Sequence, residues 1–366
     1  ASLSSSSTPL HRLFMMSTVS EHTAPKHVVI AGAGIIGVST AYYLAEHHNI
    51  TTTLVDPTGT VAPAASGKAG GFLALDWNDD TTTGPLTRRS FALHQELADK
   101  FGAESIQYRR LTCAAIGATA TTTSKQNKPL GAKLKNIEWA DGGASYRLLG
   151  SEETIAQVHP KLLCERLFAE TKGCQLVKGS VIGAVETTDG KLSGAKLDDG
   201  TTIEADALLY ACGPWTANII KGVKYHSVIV PTTRVLNQCV FFSGCGDPEV
   251  YVRPDQTAYC TGFPEDARVV TESPGQVQQA SRTTVLELKK EEAPVVTQSC
   301  YLPTTTDGLP VMGELLGTTK NTYIATGHTC WGILLGPASG EGMASWIATG
   351  SSSSVDLRRF SPSRYG

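Results

Sequence analysis

Residues 27–56 read HVVIAGAGIIGVSTAYYLAEHHNITTTLVD. Val28, Val29, Ile30 and Ala31 form the short apolar run that a buried parallel strand needs. Gly32, Gly34 and Gly37 follow at G-x-G-x-x-G spacing. The first glycine permits a tight turn, the second lets a pyrophosphate approach the backbone, and the third lets helix and strand pack closely. VSTAYYLAEHH is apolar at helical spacing. The start of that helix presents unpaired N–H groups and a positive dipole end to an anion. TTTLVD is a second strand ending on Asp56, an acid placed to accept from a ribose hydroxyl and to disfavour a 2′-phosphate, hence NADP. The whole unit predicts a Rossmann-type dinucleotide site. It does not separate NAD from FAD.

The chain has 366 residues, enough for two domains. It is 41% hydrophobic and 18% charged, as a soluble globular protein is. A net charge of −3 shows no basic excess, which argues against a nucleic-acid partner. Nine Cys stand without C-x-x-C pairs, so reduced, intracellular cysteines are expected, and no metal site. The compartment, cytoplasm or an organelle, stays open. Residues 1–26 are Ser/Thr-rich and read as a disordered leader or a transit remnant. The long uncharged stretch YIATGHTCWGILLGPASG reads as a cofactor-side loop and helix, because its Gly, Thr, Ser and His content does not suit a membrane span.

Further along, GPLTRRSFALHQELADKFG has helical periodicity and SIQYRRLTCAAIGA is strand-like. TATTTSKQNKPLGAKLK reads as an exposed connection, and a short helix is expected after Ser151. A hairpin turn falls at TDGK, and ALLYACG followed by PWTANII reads as a strand and a helix start. Three β-rich segments follow, with SPGQVQQASRTTVLELKK expected as a helix between the last two. Dinucleotide-type segments therefore recur at the start, middle and end. The expected fold is α/β with an α+β second domain. Residues 27–85, 151–222 and 300–350 form a discontinuous Rossmann-type domain, 86–150 and 223–299 a β-sheet-rich substrate domain, and 351–366 a tail.

Six blocks, in order from Val28 to Ile347, resemble the D-amino-acid-oxidase-like FAD-dependent oxidoreductases, which include glycine oxidase and sarcosine oxidase. They are VVIAGAGIIGVSTAYYLA with LVD, AASGKAGGFLA, ADALLYACGPWTANI, VYVRPDQTAYCTG, CYLPTTTDGLPVMG and YIATGHTCWGILLGPASGEGMASWI. The resemblance implies FAD. It assigns Gly32, Ala33, Gly34, Ile35, Ile36 and Gly37 to the pyrophosphate loop and Asp56 to the ribose. Ser66, Gly67, Lys68, Ala69, Gly70 and Gly71 fall in the loop along the flavin, and Val181 on the adenine side. Gly213 and Trp215 match a turn over the cofactor. Gly332, Ile333, Leu334 and Leu335 match the loop whose N–H groups face the flavin pyrimidine.

The same resemblance puts His328 and Trp331 beside the flavin, and Tyr251, Arg253 and Tyr259 on the active-site roof. For His328 a role in satisfying buried backbone stays open, and so does a structural role for His226. Cys300 lies seven residues before Asp307, the offset of a covalent flavin cysteine in some relatives; non-covalent attachment is favoured. Leu302 stands where amino-acid-oxidising relatives often carry a carboxylate-binding Arg, and Arg253 is a candidate substitute. The expected reaction is oxidation of a C–N bond of a small-molecule amine or amino acid, by hydride transfer to flavin N5, with oxygen or another electron acceptor taking the electrons. The competing expectation is a flavin-binding protein with a binding or trafficking role and little turnover.

Overall fold

The computed structural model describes residues 22–117, 139, 145–216, 219–243, 247–262, 264–277, 295–352 and 354–365. Its strands are β1 (His27–Ala31), β2 (Thr51–Asp56), β3 (Phe72–Ala74), β4 (Arg109–Arg110), β5 (Thr112–Gly117), β6 (Ser145–Gly150), β7 (Ile155–Gln157), β8 (Cys174–Lys178), β9 (Val181–Glu186), β10 (Leu192–Leu197), β11 (Thr202–Glu204), β12 (Ala207–Tyr210), β13 (Lys221–Pro231), β14 (Gln238–Ser243), β15 (Glu249–Val252), β16 (Thr257–Gly262), β17 (Val296–Thr304), β18 (Val311–Glu314) and β19 (Thr322–Thr326). The α-helices are α1 (Ile35–His48), α2 (Gly84–Phe101), α3 (Pro160–Glu170) and α4 (Gly332–Thr349).

The first sheet has the order β18-β19-β12-β1-β2-β8 and is parallel except for β18. β1 lies between β2 and β12, so the strand order reverses at its carboxyl end. Ligands of open α/β sheets bind at that switch point. Helices α1 and α4 cover one face. They touch through Gly340, where a Cβ would fall 2.4 Å from Ser39 Cβ. The β9–β11 meander covers the other face, burying Val29, Val55 and Leu208 against Leu192, Ala195 and Leu197. α1 ends as its sequence suggests: Asn49 is left-handed (φ 55°), and the Asn49 and Ile50 amides return to Ala45 and Leu44.

The second sheet has the order β17-β13-β16-β15-β14-β5-β6. Alternation along its strands puts Leu302 and Cys300 (β17), Tyr225 (β13), Tyr259 (β16), Glu249 and Tyr251 (β15) and Phe241 (β14) on one face. That face looks onto the loop between β2 and β3.

Three expectations change. Residues 86–101 were grouped with the second unit, but α2 buries Leu86, Phe91, Leu93 and Leu97 in the core shared with α1 and α4. Residues 300–304 were grouped with the first; they belong to β17, which pairs with β13 from Val296 to Thr304. Ser151 heads a turn instead of a helix. Its Oγ accepts from the Glu153 amide, β7 follows with Ile155 fully buried, and α3 starts only at Pro160 with His159 as its cap. PWTANII forms a single 3-10 turn at Gly213–Trp215 among the described residues. The helix expected in SPGQVQQASRTTVLELKK, the connection TATTTSKQNKPLGAKLK and most of the leader lie largely outside the described residues. No helix among the described residues is long and apolar enough to cross a membrane; YIATGHTCWGILLGPASG runs from β19 into α4.

Candidate active site

A cavity of about 360 Å³ opens at the switch point. Asp56, Gly179, Ser180 and Val181 wall one part; Gly32, Gly34, Ile35, Ile36 and Ser66 another. Ala69, Leu302, His328, Gly332 and Ile333 wall the part under the second sheet, and Gly213 and Trp215 also line the space.

The glycine turn admits no side chain. Gly32 is left-handed (φ +107°), donates to Val55 O across 2.7 Å, and would put a Cβ 2.4 Å from Ala211 O. A Cβ on Gly37 would meet Gly32 O at 2.1 Å, so this glycine sets the packing of helix on strand and does not itself line the cavity. The first turn of α1 carries no acid, and the Ile35 amide donates to Ser66 Oγ across 2.9 Å. Its dipole therefore faces the cavity uncancelled. Asp56 is buried at the end of β2. Its Oδ1 accepts from the Thr58 amide and hydroxyl, and its Oδ2 from the Ala33 amide at 3.3 Å.

The 62–71 loop is pinned to the roof sheet. Lys68 Nζ donates to Ser299 O (3.0 Å), Gln298 Nε2 to Lys68 O (3.1 Å) and Arg253 Nη2 to Ala69 O (3.1 Å). A Cβ on Gly70 would strike the Tyr251 ring at 1.9 Å, and one on Gly71 (φ +87°) would strike Val158 O at 1.9 Å. Ala69 reaches the cavity, while Lys68, Gly70 and Gly71 serve the loop's seating. Arg253 does not line the cavity. Its guanidinium is buried over the Tyr259 ring, 5.7 Å from its centroid, with its second amine 3.5 Å from His159.

On the opposite wall, α4 starts at Gly332 with no side-chain cap and no acid in its first turn. The Gly332 and Ile333 backbone meets the cavity, whereas Leu334 and Leu335 are buried in the core. Pro337 cannot donate to Ile333 O; His94 Nε2 does so instead, across 2.9 Å. His328 lines the cavity, but its Nε2 is bonded to Ser339 Oγ at 3.0 Å. Burial drives its imidazole down to about 3, so it stays neutral. Trp331 is half-buried, 6.4 Å edge-on from Trp77. Cys300 is buried on β17 outside the cavity lining, and burial pushes its thiol up to about 11. His226 sits on the other face of β13, paired with Glu265 at 2.7 Å.

The family model described as FAD dependent oxidoreductase matches residues 27–346. The chain belongs to that family. A Schizosaccharomyces pombe protein named only as an oxidoreductase is 30% identical, covering 92% of this chain and 98% of its own. The glycine oxidase of Bacillus licheniformis is 25% identical over 87% of this chain and 92% of its own. The crystal structure of glycine oxidase from Geobacillus kaustophilus shares the fold with a TM-score of 0.74, at 22% identity, over 93% of this chain and 98% of that one. The chain is thus an FAD-dependent oxidoreductase, and the site fits that cofactor. Glycine-only backbone at Gly32, an uncancelled helix start at Ile35 and an acid at Asp56 suit pyrophosphate and ribose. A second uncancelled helix start at Gly332 suits a ring system that takes on negative charge.

Ser66, expected in the loop along the flavin, meets the helix start by its side chain. Two contributors escaped the sequence. Thr58 holds Asp56. Glu249 stands opposite Phe241 and accepts from Tyr251 Oη; period-two alternation from Tyr251 would have placed it on the roof face.

Proposed function

We propose that this FAD oxidoreductase oxidises a C–N bond of a small amine. The observation that carries this is the state of His328. It is the histidine on the cavity wall, yet Ser339 occupies its Nε2 and burial makes it a poor proton acceptor. An alcohol donor needs a base to take its hydroxyl proton as hydride leaves. A neutral amine needs none, because its own lone pair stabilises the developing cation. Bound FAD supplies the two-electron acceptor, at flavin N5.

The chain's residues supply the rest. Gly32–Ile36, Asp56 and Val181 would hold the nucleotide half. Ala69 and Gly332–Ile333 would bracket the flavin, with Gly213 and Trp215 closing the space between. Leu302, with Trp331 and the aromatic roof nearby, would keep water from the reacting carbon, and water would hydrolyse the imine after its release. Glycine oxidase among the relatives supports the C–N assignment. The test is anaerobic bleaching of the bound flavin by a panel of amines, amino acids and alcohols. Bleaching by amines is expected. Bleaching by alcohols alone would overturn the assignment, and no bleaching by any donor would favour a flavin-binding role.

A further inference from the structure

We propose that Glu249 and the aromatic box around it bind the positive charge of the substrate, which makes the substrate class carboxylate-free alkylammonium compounds; this rests on the C–N assignment above. The box is closed by ring contacts. Phe72 lies 5.2 Å from Trp77 and from Phe241, and stacks on Tyr251 at 5.5 Å. Trp77 lies 5.3 Å from Phe241 and 6.4 Å from Trp331. Trp331 lies next to the cavity in sequence, between Cys330 and Gly332, which line it.

One carboxylate stands beside this frame, Glu249, opposite Phe241 across the β14–β15 pair. Glu249 accepts a hydrogen bond from Tyr251 Oη, and among the described residues it pairs with no Lys, Arg or His. A partly buried acid without a cation is costly unless a ligand brings one. Aromatic faces around it attract an ammonium and repel a carboxylate. Leu302, at the position of the expected carboxylate anchor, points the same way, and Arg253 is held by Ala69 O. Both Glu249 and Tyr251 are half-buried, and Glu249 lies close enough to Cys330, on the cavity wall, for its charge to help raise that thiol. Burial raises the Glu249 carboxyl, and burial with the neighbouring Glu249 charge raises the Tyr225 phenol.

Oxidation requires a neutral nitrogen. The bound ammonium therefore gives up its N–H proton to solvent before oxidation, leaving a free amine lone pair, and Glu249 stays the counter-charge of the bound cation. A quaternary ammonium has no such proton and binds without being oxidised.

The experiment titrates the FAD-loaded enzyme with tetramethylammonium and, separately, with tert-butanol, following the flavin absorbance spectrum. Saturable binding of tetramethylammonium is expected in the wild type, weakened about tenfold or more in Glu249→Gln, with tert-butanol weak and equal in both. Trp77→Leu keeps the acid and should weaken the cation several-fold; it carries the test if Glu249→Gln does not retain flavin. Equal cation affinity in wild type and Glu249→Gln, or no saturable binding, overturns the proposal. Anaerobic reduction by N-methylbutylamine is measured alongside. Reduction with Glu249-independent cation binding sinks the box and leaves C–N oxidation standing. Glu249-dependent cation binding with no reduction by any amine does the reverse.

Discussion

Arg253 Nη2 donates to the Ala69 carbonyl across 3.1 Å, and this bond ties the roof sheet to the 62–71 loop on the cavity wall. The guanidinium is buried, and burial lowers its pKa against the pull of Asp255 and Tyr259. It seats the loop and lies outside the cavity lining. Arg253→Met keeps most of the volume and leaves the Ala69 carbonyl unbonded, a cost of about 1–3 kcal/mol. The expected result is a lower thermal midpoint and faster flavin loss. The ratio of kcat/KM for carboxylate-bearing and carboxylate-free amines should not change. A selective loss of the carboxylate substrates would return Arg253 to the substrate site.

Asp56 holds the loop at the end of β2 through Thr58 and Ala33, and its carboxylate borders the cavity. The pigment extracted from the protein is expected to be FAD, because FMN has no adenosine ribose for this acid to hold. Asp56→Ala removes a charged acceptor contributing ~1.5–3 kcal/mol per bond, so affinity for added FAD should fall about tenfold or more. Titration of the flavin-free protein measures it. Unchanged affinity would place the ribose elsewhere.

His94 and His328 are both held neutral by burial, at about 4 and about 3. In the unfolded chain each titrates near 6.5. Their contribution to stability is therefore complete above about pH 6.5 and is lost as the pH falls below it. Each histidine adds a slope of up to ~1.4 kcal/mol per pH unit in that window. Urea midpoints at pH 7 and pH 5 test this. His94→Gln keeps a donor for Ile333 O and should reduce the loss on acidification. An unchanged pH slope in this variant would show that His94 is not the group responsible.

The dinucleotide unit was legible because each of its demands is local. Gly32, Gly37, the apolar run of β1 and the acid at Asp56 all lie within one stretch: backbone sterics dictate the glycines, burial the apolar run, and the need for a charged acceptor the acid. α2 was legible as a helix but not by partner, since an amphipathic pattern states that a face is buried and not against what. The roof was half legible. Tyr251 and Arg253 stand on the same sheet face, yet one closes an aromatic box and the other turns to a backbone carbonyl 184 residues away in sequence. His328 illustrates the same limit: its partner Ser339 follows on α4, and only the helix's packing shows that its ring nitrogen is occupied.

Leu302 lines the cavity from β17, half-buried beside Pro303, with Glu272 on the same wall. A leucine there offers no counter-charge to a substrate carboxylate. Wild-type enzyme is therefore expected to oxidise glycine, sarcosine and D-alanine slowly and carboxylate-free secondary amines faster. Leu302→Arg places a guanidinium at the cavity wall, where a recovered charge-assisted contact of ~1.5 kcal/mol corresponds to about tenfold in kcat/KM for carboxylate substrates. The gain is reduced by the desolvation of a new, partly buried Arg when the site is empty. Anaerobic flavin reduction by paired substrates, sarcosine against N-methylbutylamine, reads out the change. Rapid reduction of the wild type by sarcosine would show that a group other than Leu302 and Arg253 holds the carboxylate.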